Sequence, residues 1–190
     1  MRIITGSAKG TKLKTPQGLN TRPTADRIKE SLFNILGPRI KDAAVLDLFA
    51  GTGNLGLEAL SRGARQAIFV DHSPVSIGII KDNAVRTGLQ EKCEVVRGDV
   101  LKILLRLQRE NRLFDIIFCD PPYNQGWIQK VAAFLDVNSL MNPQGVLVLE
   151  HSRHDELTTE LGVLQVKRVE RYGETVLSFI QSRNGEPERG

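Results

Sequence analysis

Long apolar runs are missing from this 190-residue chain. No run approaches the roughly 20 residues that cross a bilayer, which excludes a membrane protein of the helical kind. Cysteine is nearly absent as well: Cys93 and Cys119 are the only two. They have neither metal-ligand spacing nor the density of a disulfide-stapled secreted fold, so a reduced cytoplasmic setting is expected. Cys119 closes the apolar run FDIIFC and reads as a packing residue rather than a reactive thiol. The opening MRIITGSAKG lacks the apolar stretch and small-residue cleavage pattern of a secretory signal, so export is not expected. There is no repeat, low-complexity tract or flexible linker, and no metal site is expected. The length leaves no room for a second full-sized domain, so one core must carry every site, and a monomer is expected.

What charge there is lies unevenly. Residues 1–41 hold nine basic side chains (Arg2, Lys9, Lys12, Lys14, Arg22, Arg27, Lys29, Arg39, Lys41) against Asp26 and Glu30, a net of +7. The remaining 17 basic and 20 acidic residues net −3. A basic segment on a mildly acidic body suits a polyanion-binding extension, because lysine and arginine displace counterions from phosphates; a solvated basic surface has the same composition.

Beyond residue 41, short β-branched runs alternate with helical patterns, the signature of βαβ units. Strands are expected at AAVLDL from Ala43, QAIFVD from Gln66, CEVVRG from Cys93, FDIIFC from Phe114 and GVLVLE from Gly145. Leu164 to Tyr172 and Thr175 to Gln181 should form an antiparallel hairpin about Gly173 and Glu174. The fold class is therefore α/β: a seven-stranded, mostly parallel sheet with an antiparallel last strand and helices on both faces. Trp127, Val131, Phe134 and Leu135 are expected to line one apolar helix face. In the extension, a short hairpin (Arg2 to Ile4 with Lys12 to Lys14) should precede a helix from about Thr24 to Leu36, buried along Ile28, Leu32, Ile35 and Leu36. The expected organisation is an extension at 1–41 docked on a catalytic core at 42–183, with a flexible tail at 184–190.

The first strand runs into Asp47-Leu48-Phe49-Ala50-Gly51-Thr52-Gly53-Asn54-Leu55-Gly56. Its glycines fit the G-x-G-x-x-G pattern of dinucleotide binders, which alone is compatible with a nicotinamide or flavin enzyme. The aspartate ahead of them makes D-L-F-A-G-T-G resemble the first motif of Rossmann-like class I methyltransferases. Chemistry separates the two ligands. A pyrophosphate favours the positive end of a helix, whereas S-adenosylmethionine brings a sulfonium and an ammonium that suit carboxylates. Asp47 is assigned to the cofactor's amino-acid end, and the backbone of Phe49, Ala50, Gly51 and Gly53 to close approach. Asp71, about 20 residues after Gly51 at the end of the second strand, would take the ribose hydroxyls beside His72. Asp99 would bond the adenine amine while Val100 packs on the ring, although Asp99 equally suits a helix N-cap.

After the fourth strand comes Asp120-Pro121-Pro122-Tyr123. Two prolines cannot continue a strand or a helix interior, so the chain leaves in a rigid turn. The tetrapeptide resembles the fourth motif of methyltransferases acting on amino nitrogens of nucleobases or of glutamine. An exocyclic amine is a poor nucleophile because its lone pair is delocalised into the ring. The Asp120 carboxylate and the Pro121 carbonyl could accept its two N–H bonds and free that lone pair, with Tyr123 stacked on the base. Asp120 is assigned to the cofactor side as well. Aspartate in first place points to a base, since the glutamine-modifying relatives carry asparagine there.

The stretch Arg22-Pro23-Thr24-Ala25-Asp26-Arg27-Ile28-Lys29-Glu30-Ser31-Leu32-Phe33-Asn34-Ile35-Leu36 extends the likeness. With it go Arg2-Ile3-Ile4, Gly6, Gly10, the pair Glu150-His151 and Tyr172-Gly173-Glu174-Thr175. On these residues almost the whole chain resembles the RsmD-type 16S ribosomal RNA guanine-N2 methyltransferases. The resemblance implies methyl transfer from S-adenosylmethionine to a guanine of 16S rRNA, presented in the small ribosomal subunit or an assembly intermediate. It also implies that Arg22, Pro23 and Thr24 close over cofactor or base, and that Arg27 and Lys29 meet phosphates. Three other readings stay open: another base amine such as adenine N6 in RNA or DNA, a non-catalytic ribosome-assembly factor, and a nicotinamide oxidoreductase. Against the last stands the absence of any separate catalytic domain.

Overall fold

The computed structural model describes residues 1–16, 23–138, 140–155, 157 and 161–183, with the backbone alone for 23–25. The expected tail, 184–190, lies outside the described residues. The chain divides into two compact units, Met1–Val100 and Leu101–Gly190. No helix among the described residues is long and apolar enough to cross a membrane.

In the first unit three parallel strands lie in the order β3-β2-β1, with β1 at Ala44–Leu48, β2 at Gln66–Asp71 and β3 at Cys93–Arg97. Every residue of β1 is buried, as is β2 after Gln66, because strands covered on both faces carry apolar residues without alternation. Helices α2 (Asn54–Ser61) and α3 (Pro74–Thr87) are the crossovers. Ser73 caps α3 by accepting the Ser76 N–H at 3.3 Å, Pro74 follows at N1, and left-handed Gly88 ends the helix.

The extension differs in part from expectation. Arg2 and Lys12 form an isolated antiparallel bridge rather than a two-stranded hairpin. Helix α1 runs Pro23–Leu36, and its buried apolar side chains among the described residues are Ile28, Leu32, Phe33 and Leu36, with Ile35 only half-buried. The segment is held onto α2 by Glu58, whose carboxylate accepts the Ile4 N–H at 2.8 Å and the Thr5 N–H at 3.0 Å. Ser61 adds its carbonyl to Ser7 N–H at 2.8 Å and its hydroxyl oxygen to Ala8 N–H at 3.0 Å.

In the second unit the strand order is β4-β5-β7-β6, where β4 is Phe114–Cys119, β5 Met141–Ser152, β6 Leu164–Tyr172 and β7 Thr175–Ser182. β4 and β5 are parallel, and β7 runs antiparallel to both β5 and β6. The expected hairpin is present, with Tyr172 paired to Thr175 across Gly173 and Glu174. β5 starts four residues before Gly145, in a stretch whose Asn-Pro-Gln-Gly composition reads as a turn. Its register slips between Phe114 and Ile116, and a Cβ on Gly145 would lie 2.9 Å from the Phe114 and Asn142 carbonyl oxygens, so only glycine admits that approach.

Helices α4 (Val100–Arg109) and α5 (Trp127–Val137) follow, α4 starting at the last residue of the first unit, and short 3₁₀ turns lie at Gly37–Ile40 and Gln90–Lys92. The buried face of α5 is Ile128, Val131, Ala132 and Leu135. It is turned one residue from the expected stripe: Trp127 and Phe134 are half-buried, and the Lys130 ammonium lies 4.9 Å from the Trp127 ring centre. Cys119 is buried in β4.

Candidate functional site

The glycine turn of the first unit is built by backbone that only some residues accept. Phe49, Gly51 and Gly53 all take positive φ, 57°, 55° and 77°, and Phe49 does so despite its side chain. Ala50 donates its N–H to the Val70 carbonyl at 3.0 Å. The glycines have different tasks. A Cβ on Gly56 would sit 2.3 Å from the Phe69 ring, so Gly56 lets α2 pack on β2. A Cβ on Gly51 would meet the Phe49 carbonyl at 3.9 Å, ordinary contact distance, so no neighbouring atom crowds Gly51.

Asp47 is the penultimate residue of β1, just ahead of this turn. Gly53 occupies the N-cap of α2 and has no side chain to cap with; Asp47 Oδ2 accepts the Gly56 N–H at 2.9 Å instead. The carboxyl is wholly buried and its pKa is pushed up to about 7, chiefly by burial; the Gly56 bond works against that rise and the Asp71 charge adds to it. Asp71, at the end of β2, accepts the Gly51 N–H at 2.9 Å and the Ser73 N–H at 2.8 Å. It therefore ties the turn to the start of α3, with one lone pair on each oxygen still open. His72 is exposed, its Nδ1 3.7 Å from Asp71 Oδ1. Asp99 is exposed and immediately precedes α4, whose first residue Val100 is buried. Among the described residues no group of three or more His, Cys, Asp and Glu could hold a metal ion.

The raised Asp47 pKa carries a sign. A group whose folded pKa exceeds its unfolded value of 3.8 contributes stability below that value and loses it as pH rises through about 7. Asp47→Asn keeps an acceptor for the Gly56 N–H and abolishes the titration. The melting temperature of the variant minus that of the wild type, both without ligand, is expected to climb between about pH 4 and 7 and then level off. A difference that stays constant over that range refutes the assignment.

In the second unit Asp120-Pro121-Pro122-Tyr123 leaves β4 directly. Asp120 and Pro122 are exposed, Pro121 is buried and Tyr123 is 38% exposed. The Tyr123 hydroxyl donates to Glu150 Oε1 at 3.3 Å and lies 3.5 Å from Thr175 Oγ1. Its pKa is pushed up to about 12, first by burial and further by the Glu150 and Asp120 charges, so the phenol keeps its proton. Burial also raises the Glu150 carboxyl, while the Tyr123 bond opposes the rise. After the corner, Asn124 takes φ 58° and donates its N–H to Asp155 Oδ1 at 2.9 Å. His151 is buried: one ring nitrogen lies 2.9 Å from the Ser152 carbonyl, the other 2.9 Å from Ser178 Oγ. A carbonyl only accepts, so Nδ1 donates to Ser152, and both ring nitrogens are engaged inside the protein, a structural role.

Of the residues expected to meet RNA, Arg22 lies outside the described residues. Pro23 and Thr24 open α1, and Arg27 is exposed. Lys29 does not face phosphate as expected. Only 3% exposed, it directs Nζ to the Arg2 carbonyl (2.6 Å), Asn54 Oδ1 (2.7 Å) and Glu58 Oε2 (3.2 Å). All three ammonium protons are engaged inside the protein, so none is left for a phosphate. Sequence reasoning also missed Asn83, fully buried in α3, whose amide donates to the Thr52 carbonyl at 2.9 Å and the Lys14 carbonyl at 3.0 Å. It pins the glycine turn to the extension. A polar residue in an otherwise apolar helix face was the available signal. In the sequence Glu150 and Thr175 stand out only within Glu150-His151 and Tyr172-Gly173-Glu174-Thr175.

The family described as Conserved hypothetical protein 95 matches residues 1–181. YlbH of Bacillus subtilis (strain 168) is 39% identical over 183 residues, covering 96% of this chain and 100% of that protein. The ribosomal RNA small subunit methyltransferase D of Escherichia coli (strain K12) is 36% identical over 161 residues, 84% of this chain and 78% of that protein. Among solved structures, yhhF from Escherichia coli superposes with a TM-score of 0.83 at 32% identity, covering 97% of this chain and 98% of that one. The fold is the Rossmann-like class I methyltransferase fold.

Proposed function

Since this chain belongs to the Conserved hypothetical protein 95 family, that of the ribosomal RNA small subunit methyltransferases D, we propose that it methylates the exocyclic N2 of a guanine in 16S rRNA. The substrate is the small ribosomal subunit or an assembly intermediate, and the methyl donor is S-adenosylmethionine. The observation that carries the reading is the acidic, proline-stiffened corner Asp120-Pro121-Pro122-Tyr123 at the end of β4, with its aromatic residue anchored by Glu150.

The donor set of the first unit fits a cationic cofactor. Two buried carboxylates, Asp47 and Asp71, flank the glycine turn, and their charge gains from a nearby cation where a pyrophosphate would be repelled. Asp71 retains acceptor capacity for ribose hydroxyls, and the uncrowded Gly51 lets a ligand approach backbone. His72, Asp99 and Val100 complete the proposed contacts, the last two on the adenine, and Asp120 borders the cofactor as well. S-adenosylmethionine, when bound, supplies a methyl group activated by the sulfonium. Asp120 and the Pro121 carbonyl accept the two N–H bonds of the amine, drawing its lone pair out of the ring. Tyr123 holds the base in plane, and Pro122 fixes the direction in which the corner leaves the sheet. Arg22, Pro23 and Thr24 are proposed to close over cofactor or base, and Arg27 to meet phosphate.

Tritium transfer from labelled S-adenosylmethionine to undermodified small subunits tests the reading, with digestion to locate the label. Label on guanine N2 is the expected result. Label on adenine, or transfer to duplex DNA in its place, would redirect the target, and no transfer at all would sink the enzyme assignment.

The extension bears on RNA affinity. Arg2 and Lys12 are both exposed and directly opposed across the bridge, a like-charge pairing that costs stability and is relieved by phosphate. Asp26, 3.8 Å from Arg2, compensates one charge. Replacing both cations by alanine is expected to reduce the slope of log K against log[salt] for RNA binding by about 1–2. An unchanged slope places the RNA elsewhere.

A further inference from the structure

A tyrosine more than a third exposed ordinarily gives its hydroxyl to water; that of Tyr123, 38% exposed, points at protein acceptors. Its hydroxyl reaches side chains on two neighbouring strands, Glu150 of β5 and Thr175 of β7, which the antiparallel register brings together: Ser152 pairs with Thr175 and Glu150 with Leu177. The backbone beyond the ring is held separately. Asp155 accepts the Asn124 N–H through Oδ1 and the Ser152 N–H, at 3.0 Å, through Oδ2, tying the residue after Tyr123 to the end of β5. Two prolines stiffen the backbone before it.

We infer that Glu150 and Thr175 are positioning residues of the methyl transfer: they fasten the Tyr123 phenol at its hydroxyl end, so that the ring stands as a fixed platform against which the accepting base lies beside Asp120. This rests on the function proposed above. A stacking surface orients a base only if its own two side-chain torsions are settled beforehand; otherwise they must be frozen during each reaction cycle. Glu150 is suited to the task, because its half-buried carboxyl oxygen lies 3.3 Å from the hydroxyl of a phenol that stays protonated at neutral pH and so keeps a hydrogen to donate. Neither Glu150 nor Thr175 touches the reacting atoms in this scheme.

The chain has only two tyrosines, so labelling them at Cζ gives two NMR lines, assigned with Tyr172→Phe. Glu150→Ala is expected to shift the Tyr123 line and leave that of Tyr172 in place; Glu150→Gln, which keeps an acceptor oxygen, shifts it less. An unmoved Tyr123 line overturns the proposal whatever the activity. In single-turnover transfer to small subunits, Glu150→Ala and Thr175→Val are each expected to lower the rate, Glu150→Ala by about tenfold, with Glu150→Gln partly restoring it. In the Tyr123→Phe background Glu150→Ala should add less than about twofold, because the hydroxyl it serves is gone. Losses that multiply in full would assign Glu150 a role apart from Tyr123 and overturn the proposal. A wild-type chain that transfers no methyl overturns the underlying function, and the positioning role with it. That outcome is distinct from an active wild type with an additive cycle, which removes the positioning role alone.

Discussion

Asp120→Ala is expected to lower the single-turnover rate of methyl transfer by about 10²–10⁴-fold, while S-adenosylmethionine affinity, followed by titration calorimetry, changes far less. The size of the effect follows from what the carboxylate does in the proposed reaction. An aromatic amine keeps its lone pair in the ring until its N–H bonds are held by fixed acceptors, and Asp120 is one of only two acceptors assigned. Asp120→Asn retains one acceptor oxygen without the charge, so an intermediate loss is expected. The corner should survive both changes, since Asp120 is exposed and its shape comes from Pro121 and Pro122. A rate near wild type in Asp120→Ala would remove the mechanism.

The second large effect concerns stability. Glu58 is fully buried in α2 and accepts four bonds: from Ile4 N–H, Thr5 N–H, Lys29 Nζ at 3.2 Å and Arg62 Nε at 2.8 Å. Removing one partner of a buried ion pair leaves the other charge without compensation, at a cost of about 3–5 kcal/mol. Glu58→Ala should lose that much in urea unfolding, because Lys29 remains inside with its main counter-charge gone. Burial already holds the Lys29 ammonium below its usual pKa, against the pull of Glu58. Glu58→Gln combined with Lys29→Met should lose less than Glu58→Ala alone, since no unpaired lysine is then buried. A Glu58→Ala protein within about 1 kcal/mol of wild type would show that the site relaxes or takes in water.

The same cluster shows where reading along the chain stops. Lys29 sits in a basic segment and follows Arg27, so composition groups it with residues that meet phosphate. Its burial depends on Glu58, in another helix, and on the carbonyl of Arg2. Nothing local distinguishes it from Arg27, which is exposed. Helix α5 repeats the point on a smaller scale. Trp127 with Val131 and Ile128 with Val131 both give a helical stripe, and the neighbours it packs against selected the second.

Short-range physics was legible from the residues alone. Consecutive β-branched runs, helix-length spacers and the Gly173-Glu174 turn predict seven strands and their hairpin because side-chain period and turn chemistry are local properties. The glycine turn with its acids, and the two prolines after Cys119, were legible for the same reason: backbone permissiveness belongs to the residue itself. Tertiary packing alone decided which charges turn inward, that Asp47 caps α2 where Gly53 has no side chain, that Asn83 holds the turn to the extension, and that Glu150 and Thr175 reach the Tyr123 hydroxyl. Each of these joins residues distant in sequence, and a polar side chain enters the interior only where the fold brings it a partner.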